Sequence, residues 1–561
     1  MAVLTMNFNS IFSLAIATFV SLLTGCNEGN KLSLNERSII YCSEGSPETF
    51  NPQLSTSGTT SDATAKQLYN SLIVYKGNSN TLGPSLAKSW HVTRDGKKIT
   101  FYLRQDVSFH QTSYFTPTRL FNANDVLFSF NRILDKEHAF HHVSGNQYPF
   151  FQSVKFSELV EKIEKINDFT VRFILKRNDS SFLANLATDF AVILSEEYGQ
   201  ILQEKSAEHE IDIFPIGTGP FKLKDYRVGS LIRFYRHETY WQEKAKIEQL
   251  VYDISPSKTS RLTKLLAKEC DVSSYPIAHA KIAERSDLQL ESITSLNVGY
   301  FAFNTKKEPF NSKIVRQAIS LAINKQALIE TVYQGQAAWA KSILPETSWA
   351  YDKNTPELGY DPVRAKSLLE VAGYPQGFTM DIWAMPVQRP YNPNAVTMAK
   401  LIQADLKKIG VTVKIVSYEW STFLRRLSQG EHQSFLLGWT ADHPDPDNFF
   451  TPILSCSASE LGNNRTFWCN KEYDQLLQKA LETTNMSKRK SYYAKAMAII
   501  NEEMPLLPIA HSKRFQARGI DVEGDILSNF GGISFYSAAK KVINNETKTI
   551  VLPKIADKAS N

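Results

Sequence analysis

The chain opens on an apolar run and then changes character. From Ile11 to Leu23 every residue is apolar or small, and residues 1–25 carry no charged side chain. That length suits the core of a secretory signal and falls short of the ~20 residues that a spanning helix needs. Downstream, apolar and polar positions alternate in short segments. Lys97–Leu103 predicts a strand after the turn Arg94-Asp95-Gly96. Asn122-Ala123-Asn124-Asp125 opens a helix over VLFSFNRIL, with Asn124 as its cap. Lys165–Leu175 reads as two strands joined at Asn167-Asp168. Val315–Leu328 has the apolar spacing of one helix, and Asp361-Pro362 starts another that Gly373 stops. A helix over Val396–Ile409 ends at Gly410 and is followed by an alternating strand, Val411–Val416. Helix then strand, several times over, predicts an α/β body of sheets covered by helices. After about Lys541 the chain turns polar and Lys-rich, which predicts a weakly ordered tail over 541–561.

Composition narrows the function classes. A length of 561 residues exceeds one ordinary core and predicts several domains. Hydrophobic residues at 42% and charged residues at 21% exclude a disordered or fibrous chain. The excess of 63 basic over 57 acidic residues is too mild for a nucleic-acid footprint, so no nucleic-acid partner is expected. The signal ends in Leu23-Thr24-Gly25-Cys26, which resembles a bacterial lipobox. That predicts lipidation at Cys26 and a periplasmic body tethered to the cell membrane by acyl chains, each buried CH₂ contributing ~0.8 kcal/mol. The signal departs from the usual pattern in having no Lys or Arg before its core.

Four cysteines remain in the body: Cys42, Cys270, Cys456 and Cys469. They allow three pairings, and no spacing is the CxxC of a zinc or thioredoxin site. Cys456 and Cys469 flank a polar loop whose closure contributes roughly 3 kcal/mol by chain entropy, and pairing them leaves Cys42 for Cys270. Two disulfides fit an exported protein. No GxSxG, HExxH, GxxxxGK or GxGxxG motif is present, so nothing selects a secreted hydrolase or another enzyme. Asp442, Asp445 and Asp447 lack the glycine and terminal glutamate of a calcium loop, and neither a metal nor a cofactor is expected. His138, His141 and His142 form the one histidine cluster, while His443 follows Asp442 directly.

Ordered blocks over roughly residues 38–537 carry a family resemblance. They include Phe50-Asn51-Pro52-Gln53, Thr56–Thr60, Leu86–Trp90, Phe115–Arg119, Asn122–Val126, Gly217–Phe221, Asn297–Tyr300 and Val315–Ala318. The chain resembles the family 5 extracytoplasmic solute-binding proteins of ABC importers, whose members bind dipeptides, oligopeptides or haem. Trp383–Asn394 and Gly438–Asp442, with Asp445–Phe450, look like the dipeptide-binding subgroup, and the four cysteines sit where that subgroup has its two disulfides. The resemblance implies a two-lobed periplasmic-binding-protein fold of type II (cluster C-like) with a hinge and an extra inserted domain. Residues 38–70, 215–297 and 515–540 would form a discontinuous domain of lobe I, 71–214 the inserted domain, and 298–514 lobe II. Residues 1–25 are then the signal and 26–37 an anchored linker.

A free peptide is a zwitterion, and its burial requires both termini to be neutralised. The resemblance implies Asp442 as partner of the ammonium and Arg389 as the planar fork for the carboxylate. Trp383, Tyr391 and Trp439 would wall the pocket, with Thr56 and Gly58 contributing from the other lobe. Two terminal anchors act as a ruler of peptide length and leave side-chain specificity loose. The expected partners are a short peptide and an inner-membrane ABC permease, the protein acting as a monomer. Haem and antimicrobial peptides are the alternative cargoes within the family.

Overall fold

The computed structural model describes residues 37–541 apart from 78, 146 and 461; the signal, Cys26 and the tail lie outside the described residues. One twelve-stranded sheet system organises the body. On one side, Thr412–Val416, Thr379–Ala384, Ser434–Thr440 and Asn297–Phe303 are neighbours in that order. On the other, Val272–Ser274, Ser38–Ser43, Gln249–Ile254, Leu231–Arg236 and Phe221–Arg227 follow one another. The 14-residue strand Leu506–Gly519 belongs to both. Its first half pairs with Asn297–Phe303, and its second half, from Lys513, pairs with Leu288–Thr294. Two segments, Thr294–Asn297 and Ser512–Arg514, therefore carry the chain across between the halves.

Buried apolar side chains divide in the same way. One cluster draws almost wholly on residues 296–510 and the other on 39–272 with 522–538. The fold is the two-lobed, type II periplasmic-binding architecture. A second sheet, antiparallel, joins Ala87–Val92, Lys98–Leu103, Thr170–Leu175 and Val160–Asn167. Its inward residues Phe101 and Phe173 pack edge to face and share the core of Ile39 and Tyr252.

Local sequence explains most element ends, with two corrections. The helix Ala123–Leu134 is capped by Asn122, not Asn124: Asn122 Oδ1 accepts from the Asn124 amide, and Asp125 completes a capping box. Asp125 also takes both ends of the Arg119 guanidinium at 2.8 Å, so the Phe115–Arg119 block braces this helix. The helix expected over Val315–Leu328 is two, Lys313–Leu321 and Lys325–Val332. Asn324 breaks it, because its side chain caps the second helix by accepting from the Ala327 amide. Asp361 caps Pro362–Val371, and Gly373 and Gly410 adopt positive φ at the stops. Cys42 is bonded to Cys270 and Cys456 to Cys469, with Cα separations of 5.8 and 4.5 Å.

Candidate ligand-binding site

A cavity of about 650 Å³ lies between the lobes. Cross-lobe contacts close over it: Thr56 Oγ1 donates to Asn463 Oδ1 at 3.0 Å, and His443 Nε2 meets Asn185 Oδ1 at 3.0 Å. Its wall includes Thr56, Gly58, Arg389, Tyr391, Trp439 and Asp442. Trp383 is placed differently from the sequence expectation. It is off this wall and packed against Tyr418, Phe423 and His432 in the core of its lobe. The end of the strand Thr379–Ala384 is buried on both faces, and Trp383 fills the core on the side that does not reach the cavity.

Two glycines position Arg389. Gly299 and Gly438 are directly paired across neighbouring strands. A Cβ on Gly438 would stand 2.2 Å from Tyr391 Cδ2, and one on Gly299 would stand 2.1 Å from the Tyr391 carbonyl. The bare backbone thus lets the Arg389–Asn392 turn lie flat on the sheet. Reciprocal amide–carbonyl bonds of 3.1 Å close that turn, and the Tyr333 hydroxyl donates to the Tyr391 carbonyl at 2.7 Å.

The Arg389 guanidinium, 4% exposed, sits between the rings of Trp420 and Tyr275, 5.6 and 6.0 Å away. Its Nη1 pairs with Glu44 of the opposite lobe, while Nη2 has no protein partner. Gly58, at the start of the helix Gly58–Leu68, approaches from the other side, where an added Cβ would stand 3.7 Å from Cζ. An unpaired guanidinium nitrogen beside a cavity is a ready donor to a carboxylate.

Asp442 follows the strand Ser434–Thr440 and is organised by Asn448. Asn448 Oδ1 accepts from the Asp442 amide at 2.9 Å and from Trp439 Nε1 at 3.0 Å. The Asn448 amide donates only weakly to the carboxyl, at 3.4 Å. Burial pushes the Asp442 carboxyl well above the ordinary carboxylate range, and the neighbouring Asp189 adds to it; Asn448 and Lys66 oppose. A carboxyl in that state is stabilised by an incoming cation.

The histidines are engaged within the protein. His443 Nδ1 accepts from the Asp445 amide and Nε2 faces Asn185, so it is held as a neutral tautomer between the lobes and off the cavity wall. His141 Nδ1 meets the Arg132 carbonyl at 2.8 Å, and His138 Nδ1 accepts from the Phe140 amide. Among the described residues no group of three or more His, Cys, Asp or Glu side chains is arranged to hold a metal ion. Nor is any described helix long and apolar enough to cross a membrane.

Sequence reasoning missed several wall residues and partners. Glu44 lies 345 positions from Arg389, and no local pattern links them. Asp62 and Arg514, 3.8 Å apart, meet only through the long strand that joins the lobes. Tyr275, Trp420 and Arg465 also line the cavity and come from three separate segments.

Known proteins resemble this chain over most of its length. The dipeptide-binding protein of Escherichia coli strain K12 is 44% identical over 501 residues, 89% of this chain and 94% of that protein. Heme-binding protein A of Haemophilus influenzae is 41% identical over 547 residues, 95% of this chain and 99% of that protein. The crystal structure of a dipeptide binding protein from Pseudoalteromonas sp. SM9913 in complex with Met-Leu superposes with a TM-score of 0.88. It is 50% identical and covers 90% of this chain and all of that one. Residues 81–460 match the model for bacterial extracellular solute-binding proteins, family 5, and with these relatives the chain belongs to that family of binding proteins.

Proposed function

We propose that the protein captures dipeptides or other short peptides outside the cytoplasm and delivers them to the permease of an ABC importer. The observation that carries this reading is a cavity between the lobes whose wall holds an unused guanidinium donor at Arg389 and, at Asp442, a buried carboxyl with no ion pair among the described residues. The two groups have the charges that a zwitterionic peptide needs at its ends. Relatives named for dipeptide binding, one of them seen with Met-Leu, support the same cargo. Trp439 and Tyr391 supply apolar wall between the anchors. Thr294–Asn297 and Ser512–Arg514 serve as the hinge, dividing lobe II from the discontinuous domain of lobe I and its insertion. Asn297 supports that role by bonding both backbone groups of Ser512, at 2.8 and 3.0 Å.

Cys26 carries the lipid that tethers this monomer at the membrane. The haem alternative is weaker, because none of His138, His141, His142 and His443 lines the cavity. Native mass spectrometry of protein lacking residues 1–26 tests the cargo directly, followed by titration with di-, tri- and pentapeptides and with haem. Co-purified dipeptides and length-selective binding are expected. Haem binding without peptide binding would overturn the proposal.

A further inference from the structure

Arg465 lines the same cavity, and neither terminal anchor uses it. It sits in the loop closed by Cys456 and Cys469. The backbone there is braced from several sides. The Asn464 amide donates to the Ser455 and Trp468 carbonyls at 3.0 and 2.8 Å, and His432 Nε2 meets the Arg465 carbonyl at 2.9 Å. Asn464 and Thr466 on either side are 1% exposed. The loop therefore projects the Arg465 side chain from a fixed point. Among the described residues its guanidinium forms no ion pair and no hydrogen bond. The wall carboxylates Glu48 and Glu460 are exposed, and the Ser55 hydroxyl donates to Glu48 at 2.5 Å. Burial draws the Arg465 guanidinium down to about 10, against the pull of Tyr300 and Glu48, so it remains cationic at neutral pH. A half-buried cation on a cavity wall, with no ion pair of its own, gains a charge-assisted bond when a ligand supplies the anion.

We infer that Arg465 forms a third subsite, selecting peptides that present a carboxylate beyond the reach of Arg389, either on a side chain or at a terminus placed past that anchor. The inference rests on the peptide-receptor reading above. An Asp or Glu side chain is one source of that carboxylate, and the terminus of a third residue is the other. Calorimetric titration of the wild-type protein and of Arg465→Gln with Ala-Glu, Glu-Ala, Ala-Gln, Gln-Ala, Ala-Ala and Ala-Ala-Ala separates them. Acidic dipeptides should bind about tenfold or more tightly than their amide isosteres, with the ratio collapsing to within twofold in Arg465→Gln. If a tripeptide terminus is the source, Ala-Ala-Ala loses about tenfold relative to Ala-Ala in the variant. Arg465→Lys retains the charge and keeps part of either preference, and the wild-type isostere ratio is readable whether or not a variant folds. Wild-type protein that binds Ala-Ala without preferring acid over amide or the tripeptide overturns the third subsite and leaves the receptor function standing. Failure to bind Ala-Ala at all overturns both.

Discussion

The two ends of the cavity are charged in different ways. At one end Arg389 is a permanent cation, half satisfied by Glu44 from the opposite lobe and framed by two rings. At the other, Asp442 forms no ion pair among the described residues; an asparagine donates weakly to it, and the attraction of Lys66 is outweighed by burial and the repulsion of Asp189. One end is charged before the ligand arrives, and its charge also holds the lobes together. At the other end burial pushes the carboxyl towards its neutral form, and an incoming cation favours the charged one. Dipeptide binding should therefore be coupled to lobe closure through Arg389 and to protons through Asp442.

The largest break in this comparison comes from Arg389→Ala. It removes the carboxylate partner and strands Glu44, 3% exposed, without a counter-ion, a loss of about 3–5 kcal/mol for a broken buried pair. Affinity for dipeptides should fall more than affinity for longer peptides. Adding Glu44→Gln should restore closure, read by small-angle scattering, without restoring dipeptide affinity. Asp442→Ala comes next and should weaken dipeptide binding by roughly 2–5 kcal/mol in calorimetry while leaving closure unaffected.

A smaller effect sharpens the contrast. The free Asp442 carboxyl has a raised pKa, and a bound ammonium lowers it. Below the free-state value, binding must expel a proton, so dipeptide affinity falls as pH falls, by at most tenfold or about 1.4 kcal/mol per unit. Titrations in two buffers of different ionisation enthalpy should show proton release for the wild type and none for Asp442→Asn.

The smallest effect concerns stability away from the cavity. Burial raises Asp447 to about 8, with Asp445 and Asp179 adding to it and the Thr451 hydroxyl and Arg489 opposing. The folded state then holds a proton that the unfolded chain releases near pH 4, so stability from this group is lost as pH rises from about 4 to 8. Asp447→Asn should raise the melting temperature at pH 7 more than at pH 6, the difference corresponding to about 1 kcal/mol. No such change in dipeptide affinity should accompany it.

What the sequence revealed follows the range of the interactions involved. Asp361, Pro362, Gly373 and Gly410 act within one turn of themselves, and their helix ends were legible. The break at Asn324 was not, because the apolar spacing continues through it and only the side-chain cap distinguishes two helices from one. Asn122 and Asn124 are chemically equivalent caps in sequence; the box with Asp125 decides between them. Arg389 and Asp442 were recognisable through the blocks around them, whereas Glu44 meets Arg389 only across the lobes, and Asp62 meets Arg514 only when segments 452 positions apart fold together. Trp383 shows the opposite limit. It lies in a block that resembles ligand-binding relatives, yet Tyr418, Phe423 and His432 from later segments cover it and place it in the core.

The central claim is that both ends of a short zwitterion are held, one by Arg389 and one by Asp442. Calorimetric titration with Ala-Ala, N-acetyl-Ala-Ala and Ala-Ala-amide tests it most directly. Ala-Ala should bind, and each blocked form should lose about a hundredfold or more, the acetyl form through Asp442 and the amide through Arg389. Equal affinity for all three would contradict the account.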